Sequence, residues 1–499
     1  MADARIVVRL DEPIAQINPN IYGHFAEHLG TCIYDGVWVG PDSPIPNIDG
    51  IRRDVVEALK RLNPPVIRWP GGCFADDYHW QDGIGPHEER PRTVNLWWGE
   101  SIESNHFGTH EFIRFCRLVG AAPYLCGNVG SGSPRELRDW VEYCNFSGES
   151  TLAMTRAANG SAEPFDVCYW GVGNENWGCG GRFCPEDYGT EYKRFSTFLH
   201  DMSGTPLYLI ACGPNGNNPD WTRRFMSKIG DYSRIHGYAA HYYCGTAGTA
   251  TEYTVDQWYQ LLQRSRKVET LIAQQRAILD GYQPVGVGAR RRIGLIIDEW
   301  GTWHPPTPGR HPKHLWQQNT MRDALVAAST LDIFNRHADK VVMANIAQTI
   351  NVLQAMILTD GADMLTTPTY HVYEMYKAHQ GGMSVRTTVD TPNVTFAGAE
   401  GDESMPMLAV SASHKEDLLT VSVVNYAADT PIEAAIDLRQ GRARGGHVRV
   451  LRAADIHGHN TFESPHAVEP ATAPLDRSGE MWPFTFAPAS VTVLHIHLG

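Results

Sequence analysis

The feature that most constrains the fold is an alternation of short apolar segments with amphipathic helical segments, from about residue 17 to about residue 380. Uninterrupted apolar runs of this length are typical of parallel strands that helices cover on both faces. A doubly wound sheet is the alternative, but no glycine-rich dinucleotide fingerprint follows the first strand. Eight repeated units therefore predict a (β/α)8 barrel. Their strands are predicted at residues 15–25, 66–69, 123–127, 167–171, 207–210, 235–239, 294–297 and 341–344.

Two segments between these strands carry clear helix signals. Ser133, Pro134 and Glu136 have the spacing of an N-cap, a first-turn proline and a capping-box glutamate. Residues 255–279 carry apolar side chains at helical spacing and predict a helix. Both signals place helices in the connections between strands, as the barrel requires.

The pattern changes after about residue 385, where strand-like segments follow one another without a convincing helix. This change predicts an antiparallel β-sandwich of roughly a hundred residues. The opening strand, Arg5 to Leu10, precedes the barrel and is expected to join the sandwich. A chain of 499 residues is also too long for one ordinary core. We therefore predict an N-terminal strand in 1–14, a catalytic barrel in 15–384 and a sandwich in 385–499.

Charge and composition restrict the partners and the compartment. The formal net charge is -14, and the sequence has no long run of Lys or Arg. Nucleic acid and anionic membranes are therefore not expected as partners. No segment approaches the ~20 apolar residues of a membrane span, and the N-terminus does not read as a signal peptide. The ten cysteines are scattered, which favours buried reduced thiols in a cytoplasmic protein. Cys179 and Cys184 are close in sequence, but two cysteines alone make a weak zinc site.

Two glutamates follow predicted barrel strands at positions suited to catalysis. Functional side chains in such barrels follow the C-terminal ends of the strands. Glu175 lies between Trp170 and Trp177, and Glu299 precedes Trp300. A carboxyl beside aromatic surface is desolvated, which raises its pKa and lets it hold a proton. A single such glutamate is more often in a structural ion pair, but two at matching strand ends predict glycoside hydrolysis.

Two further strand ends carry candidate binding residues. Arg68 precedes a Pro-Gly-Gly turn that lets the backbone approach a ligand closely. Arg68 could hold a catalytic carboxylate ionised through a charge-assisted hydrogen bond, or it could neutralise Asp76 or Asp77. Glu27 follows the first strand and could bind sugar hydroxyls, or it could pair with His28.

Six segments, in the same order along nearly the whole chain, resemble glycoside hydrolase family 51. The resemblance rests on both the catalytic strand ends and the Pro-Gly-Gly and Ala-Gln-x-x-Asn-Val motifs. The segments are Glu-His-Leu-Gly at 27–30, Arg-Trp-Pro-Gly-Gly at 68–72, Asn-His-Phe-Gly at 105–108, Trp-Gly-Val-Gly-Asn-Glu at 170–175, Asp-Glu-Trp at 298–300 and Asn-Ile-Ala-Gln-Thr-Ile-Asn-Val at 345–352.

The resemblance implies roles for the residues at these positions. Glu175 is implied to be the general acid/base and Glu299 the nucleophile of a retaining enzyme, with carboxyl groups about 5 Å apart. Asn174 is implied to bind the sugar hydroxyl next to the anomeric centre. The family is typically metal-independent, needs no cofactor and forms a homo-oligomer, a hexamer or a trimer.

Other residues are implied to surround the sugar. Glu27 and Gln348 would bind the remaining hydroxyls, Tyr243 would lie against the nucleophile, and Trp303 would form an aromatic wall. Cys73 stands where family members often carry Asn, so one polar contact in the sugar pocket is expected to differ. A glycine-rich loop, residues 177–184, lies beside the acid and is expected to influence exo against endo action.

The expected activity is that of a retaining exo-acting α-L-arabinofuranosidase on oligosaccharides derived from arabinan or arabinoxylan. An endo-β-1,4-glucanase or a β-xylosidase on the same scaffold is the nearest alternative, and a catalytically dead sugar-binding protein is a further one. A metal-dependent barrel sugar isomerase is the alternative from another class, because four histidines could meet at one rim of the barrel. These are His24, His28, His241 and His304.

Overall fold

The structure, a computed structural model, describes residues 3–232, 234–282 and 292–499. Up to residue 229 the elements are β1 (Ala4–Gln16), β2 (Gly23–Phe25), β3 (Asn47–Ile48), β4 (Ile51–Arg52), α1 (Arg53–Leu62), β5 (Val66–Trp69), β6 (Thr93–Asn95), β7 (Ser101–Glu103), α2 (Thr109–Val119), β8 (Ala122–Gly127), α3 (Pro134–Asn145), α4 (Thr151–Ala158), β9 (Tyr169–Val172), α5 (Pro185–Ser196), β10 (Tyr208–Ala211) and α6 (Pro219–Ile229).

The remaining elements complete the barrel and then form the sandwich. They are β11 (Gly237–Tyr243), α7 (Val255–Arg266), α8 (Val268–Gly281), β12 (Gly294–Gly301), α9 (Met321–Arg336), β13 (Val341–Ala347), β14 (Ile357–Asp360), β15 (Asp363–Thr366), α10 (Pro368–Tyr376), β16 (Met383–Asp390), β17 (Asn393–Ala397), β18 (Asp402–Pro406), β19 (Leu408–Lys415), β20 (Leu418–Asn425), β21 (Ile432–Arg439), β22 (Ala443–Leu451), β23 (Ala471–Gly479), β24 (Met481–Phe486) and β25 (Ser490–Leu498). Short 3₁₀ helices lie at Pro19–Tyr22, Cys73–Asp77, Trp80–Gly83, His87–Glu89, Pro312–His314 and Lys377–His379.

Eight parallel strands close into a barrel, which confirms the predicted (β/α)8 fold. In chain order they are β2, β5, β8, β9, β10, β11, β12 and β13, and the last pairs with the first. Parallel pairing brings all their C-terminal ends to one rim. Bulky side chains fill the barrel interior, so it is a packed core rather than a pore. They include Val66, Tyr124, Ile210, Ile296 and Met343.

The first barrel strand is shorter than predicted because the N-terminal strand runs further. Ala15 and Gln16 still pair with β16, opposite Ser384 and Met383, so they belong to the other sheet. The 3₁₀ helix Pro19–Tyr22 then turns the chain into the barrel. The prediction of a barrel strand over residues 15–25 was therefore wrong for its first half.

Both predicted helical segments are helical in the structure, but each differs from the prediction in one respect. Ser133 Oγ accepts a hydrogen bond from the backbone N–H of Glu136 at 3.2 Å, as an N-cap should. The predicted reciprocal bond is not made, because the Glu136 carboxylate instead accepts from His79 Nδ1 at 2.8 Å. The helical pattern of residues 255–279 is divided into α7 and α8 around Lys267. The N–H of Lys267 bonds to the carbonyl three residues back, a tight turn that separates the two helices.

The C-terminal strands and β1 form one nine-stranded sheet that folds over on itself. Its order is β23-β22-β25-β20-β19-β16-β1-β21-β24, and all neighbours are antiparallel except β1 and β21. Only Glu480 separates β23 from β24, yet these strands lie at opposite ends of the order. The ends of the sheet must therefore meet, which closes it into a sandwich around one apolar core. The predicted sandwich and its N-terminal strand are confirmed.

Helix α9 joins the barrel to the sandwich. Every residue of α9 except Arg336 is buried, so the helix has no solvent face. Asp332 of α9 accepts hydrogen bonds from Ser411 Oγ at 2.7 Å and Ser422 Oγ at 2.5 Å, which belong to β19 and β20. None of the described helices is long and apolar enough to cross a membrane.

Candidate active site

A tight turn after β9 places Glu175 at the C-terminal rim of the barrel. Gly173 has a φ of +88° and Glu175 a φ of +40°, so the chain passes through the left-handed region twice. This conformation is costly for a non-glycine residue, of the order of 1–3 kcal/mol. The carbonyl of Glu175 accepts the N–H groups of Gly178 at 2.7 Å and Gly180 at 3.1 Å, which stabilises the turn. The turn thereby directs the carboxyl group toward the other strand ends.

Glu299, within β12, faces Glu175 across His241. His241 Nδ1 lies 2.8 Å from Oε1 of Glu175 and 3.4 Å from Oε2 of Glu299. One carboxylate oxygen of each glutamate and a ring nitrogen of His241 all lie within 4.8 Å of one another. Carboxyl groups about 5–5.5 Å apart suit direct attack on a sugar, whereas about 6.5–9.5 Å leaves room for a water. The nearest oxygens of this pair, within 4.8 Å of each other, are closer than the longer separation.

Arg68 and Tyr243 keep Glu299 ionised. Arg68 Nη1 donates to Oε1 of Glu299 at 2.7 Å, and the hydroxyl of Tyr243 donates to Oε2 at 2.8 Å. Burial alone would raise the pKa of Glu299, but the charges of His241 and Arg68 outweigh it and lower this pKa. The Glu299 carboxylate is therefore held as an oriented anion.

Glu175 has the opposite tendency. Burial raises the pKa of Glu175, the hydrogen bond with His241 opposes this, and the negative charge of Glu299 raises the pKa further. The net result is a raised pKa, so Glu175 keeps a proton to higher pH than an exposed glutamate. Two neighbouring carboxyls with pKa values moved apart are suited to act as an acid and a nucleophile.

Arg68 connects these groups to Asn174. Its ion pairs are with Asp298, at 3.2 Å from Nε, and with Glu299, rather than with Asp76 or Asp77. Its Nη2 also donates to the side-chain oxygen of Asn174, and the Asn174 amide nitrogen lies 4.0 Å from the sulfur of Cys179. The backbone N–H of Asn174 donates to Asp76 at 2.7 Å, which fixes this residue beside Glu175.

Glu27 lies in a hydrogen-bond network at the same rim. Its Oε1 accepts from the backbone N–H of Phe74 at 3.1 Å and from Trp98 Nε1 at 2.9 Å, and its Oε2 accepts from Gln348 Nε2 at 3.1 Å. Burial and the charge of Glu299 raise the pKa of Glu27 to about 7. The network orients Glu27 and Gln348 together, as a pair of groups able to bind adjacent hydroxyls.

Trp303 forms an aromatic surface at the mouth of the site. Its side chain is 37% exposed, and its ring meets that of Tyr243 edge to face at 5.0 Å. An exposed tryptophan fixed in this way offers an apolar face to a sugar ring.

Comparisons with known proteins agree with this geometry. The sequence profile of the α-L-arabinofuranosidase 1 domain matches residues 58–259, and that of the α-L-arabinofuranosidase C-terminal domain matches residues 298–490. An intracellular exo-α-L-arabinofuranosidase of Bacteroides ovatus is 44% identical over 474 residues, which cover 94% of this chain and 90% of the relative. The GH51 arabinofuranosidase of Xanthomonas axonopodis pv. citri is 40% identical, with a TM-score of 0.94 over 100% of both chains. The chain belongs to glycoside hydrolase family 51.

A family 51 chain is a glycoside hydrolase, and the fold agrees with further solved structures. The α-L-arabinofuranosidase of Thermotoga maritima, solved as an arabinose complex, is 32% identical with a TM-score of 0.84. It covers 99% of this chain, and this chain covers 100% of it. The similarity therefore spans the barrel, the sandwich and the loops around both glutamates.

One disulfide in this family 51 chain contradicts the prediction of reduced thiols throughout. Cys73, in the 3₁₀ helix after β5, is bonded to Cys179, in the loop after β9. The two cysteines are 106 positions apart, so their spacing gave no signal. The other eight cysteines are free, and six of them are buried. Cys184 is exposed and free, so the Cys179 and Cys184 pair does not form.

Three residues of the site, His241, Trp98 and Cys179, had no predicted role in hydrolysis, although His241 was named for the isomerase alternative and Cys179 lies in the loop expected beside Glu175. His241 precedes Tyr243 by two positions on β11, so the alternation of side chains along a strand was a usable signal. Trp98 and Cys179 lie on loops, and no periodicity marks them. Their positions depend on how the loops pack against the barrel rim.

The four histidines of the isomerase alternative do not meet. His24 packs in the core against Tyr373, and His28 bonds to Glu103 at 2.7 Å. His304 bonds to Asp323 at 2.9 Å in a separate buried network. Of these four histidines only His241 faces Glu175 and Glu299, so this arrangement gives no support to a histidine metal centre.

Proposed function

We propose that this chain is a retaining, exo-acting α-L-arabinofuranosidase that releases arabinofuranose from oligosaccharides derived from arabinan and arabinoxylan. The observation that carries the proposal is the close Glu175 and Glu299 pair with pKa values moved in opposite directions. The sugar follows from the relatives, since the Bacteroides ovatus protein is named an exo-α-L-arabinofuranosidase and the Thermotoga maritima protein binds arabinose.

In the first step Glu175 donates its proton to the glycosidic oxygen while Glu299 attacks the anomeric carbon. The bond between that carbon and the leaving oxygen breaks, and an ester to Glu299 forms. Arg68 and Tyr243 hold the two oxygens of Glu299 before attack, so the nucleophile needs little reorganisation. The raised pKa of Glu175 keeps the acid protonated when the substrate arrives.

In the second step Glu175, now ionised, takes a proton from a water that attacks the anomeric carbon. The ester to Glu299 breaks, and two inversions give net retention. His241 is within reach of both carboxylates and positions them through both steps. Burial lowers the pKa of His241, but the charge of Glu299 and the hydrogen bond with Glu175 outweigh it, so the net pKa of His241 is raised.

The furanose is proposed to lie between Glu27, Asn174 and Gln348, with Trp303 at its open side. The Asn174 amide nitrogen makes only a long contact, 4.0 Å, to the sulfur of Cys179, and we propose that it donates to the hydroxyl next to the anomeric carbon. A hydrogen bond at that hydroxyl accelerates the reaction to the extent that it strengthens in the transition state.

We also propose that the chain acts in the cytoplasm as a homo-oligomer. The Bacteroides ovatus relative is named intracellular, and self-association is what the family resemblance implies. Sedimentation velocity on the purified chain tests the second part, and a species of the monomer mass alone would contradict it.

The test is hydrolysis of aryl α-L-arabinofuranoside beside aryl β-glucoside and aryl β-xyloside, with EDTA present. We expect clear preference for the arabinofuranoside and no loss in EDTA. With methanol as acceptor, NMR should show methyl α-L-arabinofuranoside as the first glycoside, because retention conserves the anomer. The β anomer would exclude the retaining mechanism. Cleavage only of longer chains would favour an endo-acting enzyme, and loss in EDTA would favour the metal-dependent alternative.

A further inference from the structure

The two sulfurs of Cys73 and Cys179 lie against the acid of the proposed reaction. The sulfur of Cys73 is 3.7 Å from Oε2 of Glu175, and that of Cys179 is 3.5 Å from the same oxygen. The hydrolytic steps above use neither cysteine. Two sulfurs and one carboxylate oxygen thus converge at a point where the chemistry requires only the carboxyl.

These separations match those between ligands of a tetrahedral zinc ion. Zinc binds thiolate at about 2.3 Å and carboxylate oxygen at about 2.0 Å, which puts a sulfur and an oxygen about 3.5 Å apart. The same geometry puts two thiolate sulfurs about 3.8 Å apart. The Cα atoms of Cys73 and Cys179 are 5.5 Å apart, so rotation of the side chains suffices once the sulfur–sulfur bond is opened.

The loops that carry the two cysteines are held independently of the disulfide. On one side, Asn176 Nδ2 donates to the carbonyl of Gly180 at 2.7 Å, and the N–H of Gly180 donates to the carbonyl of Glu175. On the other, the N–H of Phe74 donates to Glu27. These hydrogen bonds do not involve the sulfurs, so they would keep both cysteines beside Glu175 after reduction.

We propose that the reduced pair Cys73 and Cys179, together with Glu175, binds a thiophilic divalent cation such as Zn²⁺, and that the bound cation stops hydrolysis. A dithiol reductant gives two electrons and two protons to the disulfide and is itself oxidised to a cyclic disulfide. The cation then displaces one proton from each thiol and the proton of Glu175, all three protons pass to solvent, and water takes the fourth position. Glu175 bound as a carboxylate cannot carry the proton for the leaving oxygen, so inhibition rests on the proposed function.

A second group of possible ligands makes the redox dependence decisive. Glu175, His241 and Glu299 also bring three ligand atoms within 4.8 Å of one another. A cation bound there would inhibit the enzyme whether or not the disulfide is intact. The proposed site exists only in the dithiol form, because a disulfide offers no thiolate.

The test compares the oxidised enzyme with enzyme reduced by dithiothreitol and then freed of reductant under argon. Cd²⁺ titration should give a thiolate-to-metal charge-transfer band at one equivalent in the reduced form and none in the oxidised form. Zn²⁺ should slow hydrolysis at least tenfold in the reduced form only. Rates are referred to the same sample without metal, and re-oxidation should restore resistance to Zn²⁺.

Two variants separate this site from other thiols. Cys179→Ser should lose both the band and the Zn²⁺ inhibition under reducing conditions. Cys184→Ser, which removes an exposed free thiol five residues away, should keep both.

Three outcomes would overturn the proposal, at different points. Absence of the band in the reduced wild type would remove the metal site. Equal inhibition of oxidised and reduced enzyme would place the cation at Glu175, His241 and Glu299 instead. A charge-transfer band without inhibition by Zn²⁺ would confirm that the metal binds but refute the proposal that it stops hydrolysis. It would then count against the role of Glu175 as the acid.

Discussion

At the scale of single residues, the proposed role of Glu175 as acid and then base can be tested with substrates whose leaving groups differ. Glu175→Gln keeps the shape of the side chain but removes the proton donor. An oligosaccharide has a poor leaving group that needs this proton, so kcat/KM should fall by roughly 10²–10⁴-fold. A nitrophenyl arabinofuranoside leaves without protonation, so its kcat/KM should change little. Steady-state rates on both substrates measure the difference.

Glu163→Gln is the matched control for this experiment, because Glu163 is an exposed glutamate before the N-terminal end of β9, whereas Glu175 follows the C-terminal end. It should leave both substrates unaffected. Equal losses on the two substrates in Glu175→Gln would count against its assignment as the acid.

Tyr243 allows the charge of the nucleophile to be tested. Its hydroxyl stabilises ionised Glu299 at 2.8 Å, so Tyr243→Phe should raise the pKa of Glu299. Activity falls as pH decreases through that pKa, so the acid limb of the kcat/KM profile should move to higher pH. The alkaline limb, where Glu175 loses its proton, should stay. A hydrogen bond to a charged group is worth about 1.5–3 kcal/mol, so kcat/KM should fall roughly 10- to 150-fold.

Tyr242→Phe provides the comparison for this change. The hydroxyl of Tyr242 donates to the backbone carbonyl of Arg264, away from both catalytic glutamates. Its pH profile should match that of the wild type. An unshifted acid limb in Tyr243→Phe would show that this hydroxyl does not set the ionisation of Glu299.

At the scale of elements, the barrel strands could be predicted from the sequence, but the loops that pack around their C-terminal ends could not. Glu175, Arg68 and Glu299 could be placed together because parallel strands of a barrel share one rim, whatever the loops do. Trp98 reaches Glu27 through a loop whose course depends on tertiary packing. The disulfide likewise depends on the approach of two loops. Local sequence patterns indicate where a helix or strand begins and which face it buries. They do not indicate which part of the barrel rim an irregular loop packs against.

The Pro-Gly-Gly turn after β5 yields a prediction about one such element. A Cβ added at Gly72 would lie 2.8 Å from both carboxylate oxygens of Glu27, which three hydrogen bonds hold in place. Gly72→Ala should therefore displace Glu27 and lower kcat/KM at least tenfold, with a smaller effect on the melting temperature. Steady-state kinetics and thermal unfolding measure the two effects.

Gly281→Ala is the control for Gly72→Ala, since a Cβ at Gly281 would meet no atom of the described residues within 4 Å. It should leave kcat/KM unchanged. If Gly72→Ala retains wild-type kcat/KM, close contact of this turn with Glu27 is not needed for activity.

At the scale of the whole molecule, the junction between barrel and sandwich contains a buried carboxyl. Asp332 is fully buried on α9 and accepts from two serines of the sandwich. Burial raises its pKa from 3.8 to about 6, although both serine hydroxyls lower it in part. The folded chain therefore holds a proton on Asp332 over a pH range in which the unfolded chain has released it.

The sign of this linkage predicts how stability depends on pH. Between about pH 4 and pH 6 the folded state binds more protons than the unfolded state, so the free energy of unfolding falls as pH rises. A shift of this size corresponds to up to about 3 kcal/mol. Asp332→Asn keeps an acceptor for both serines but does not titrate, so its stability relative to the wild type should increase from pH 4 to pH 7.5. Guanidinium unfolding followed by tryptophan fluorescence measures this, with the exposed change Asp231→Asn as the control. Parallel curves for wild type and Asp332→Asn would mean that this carboxyl does not couple proton binding to the junction of the two domains.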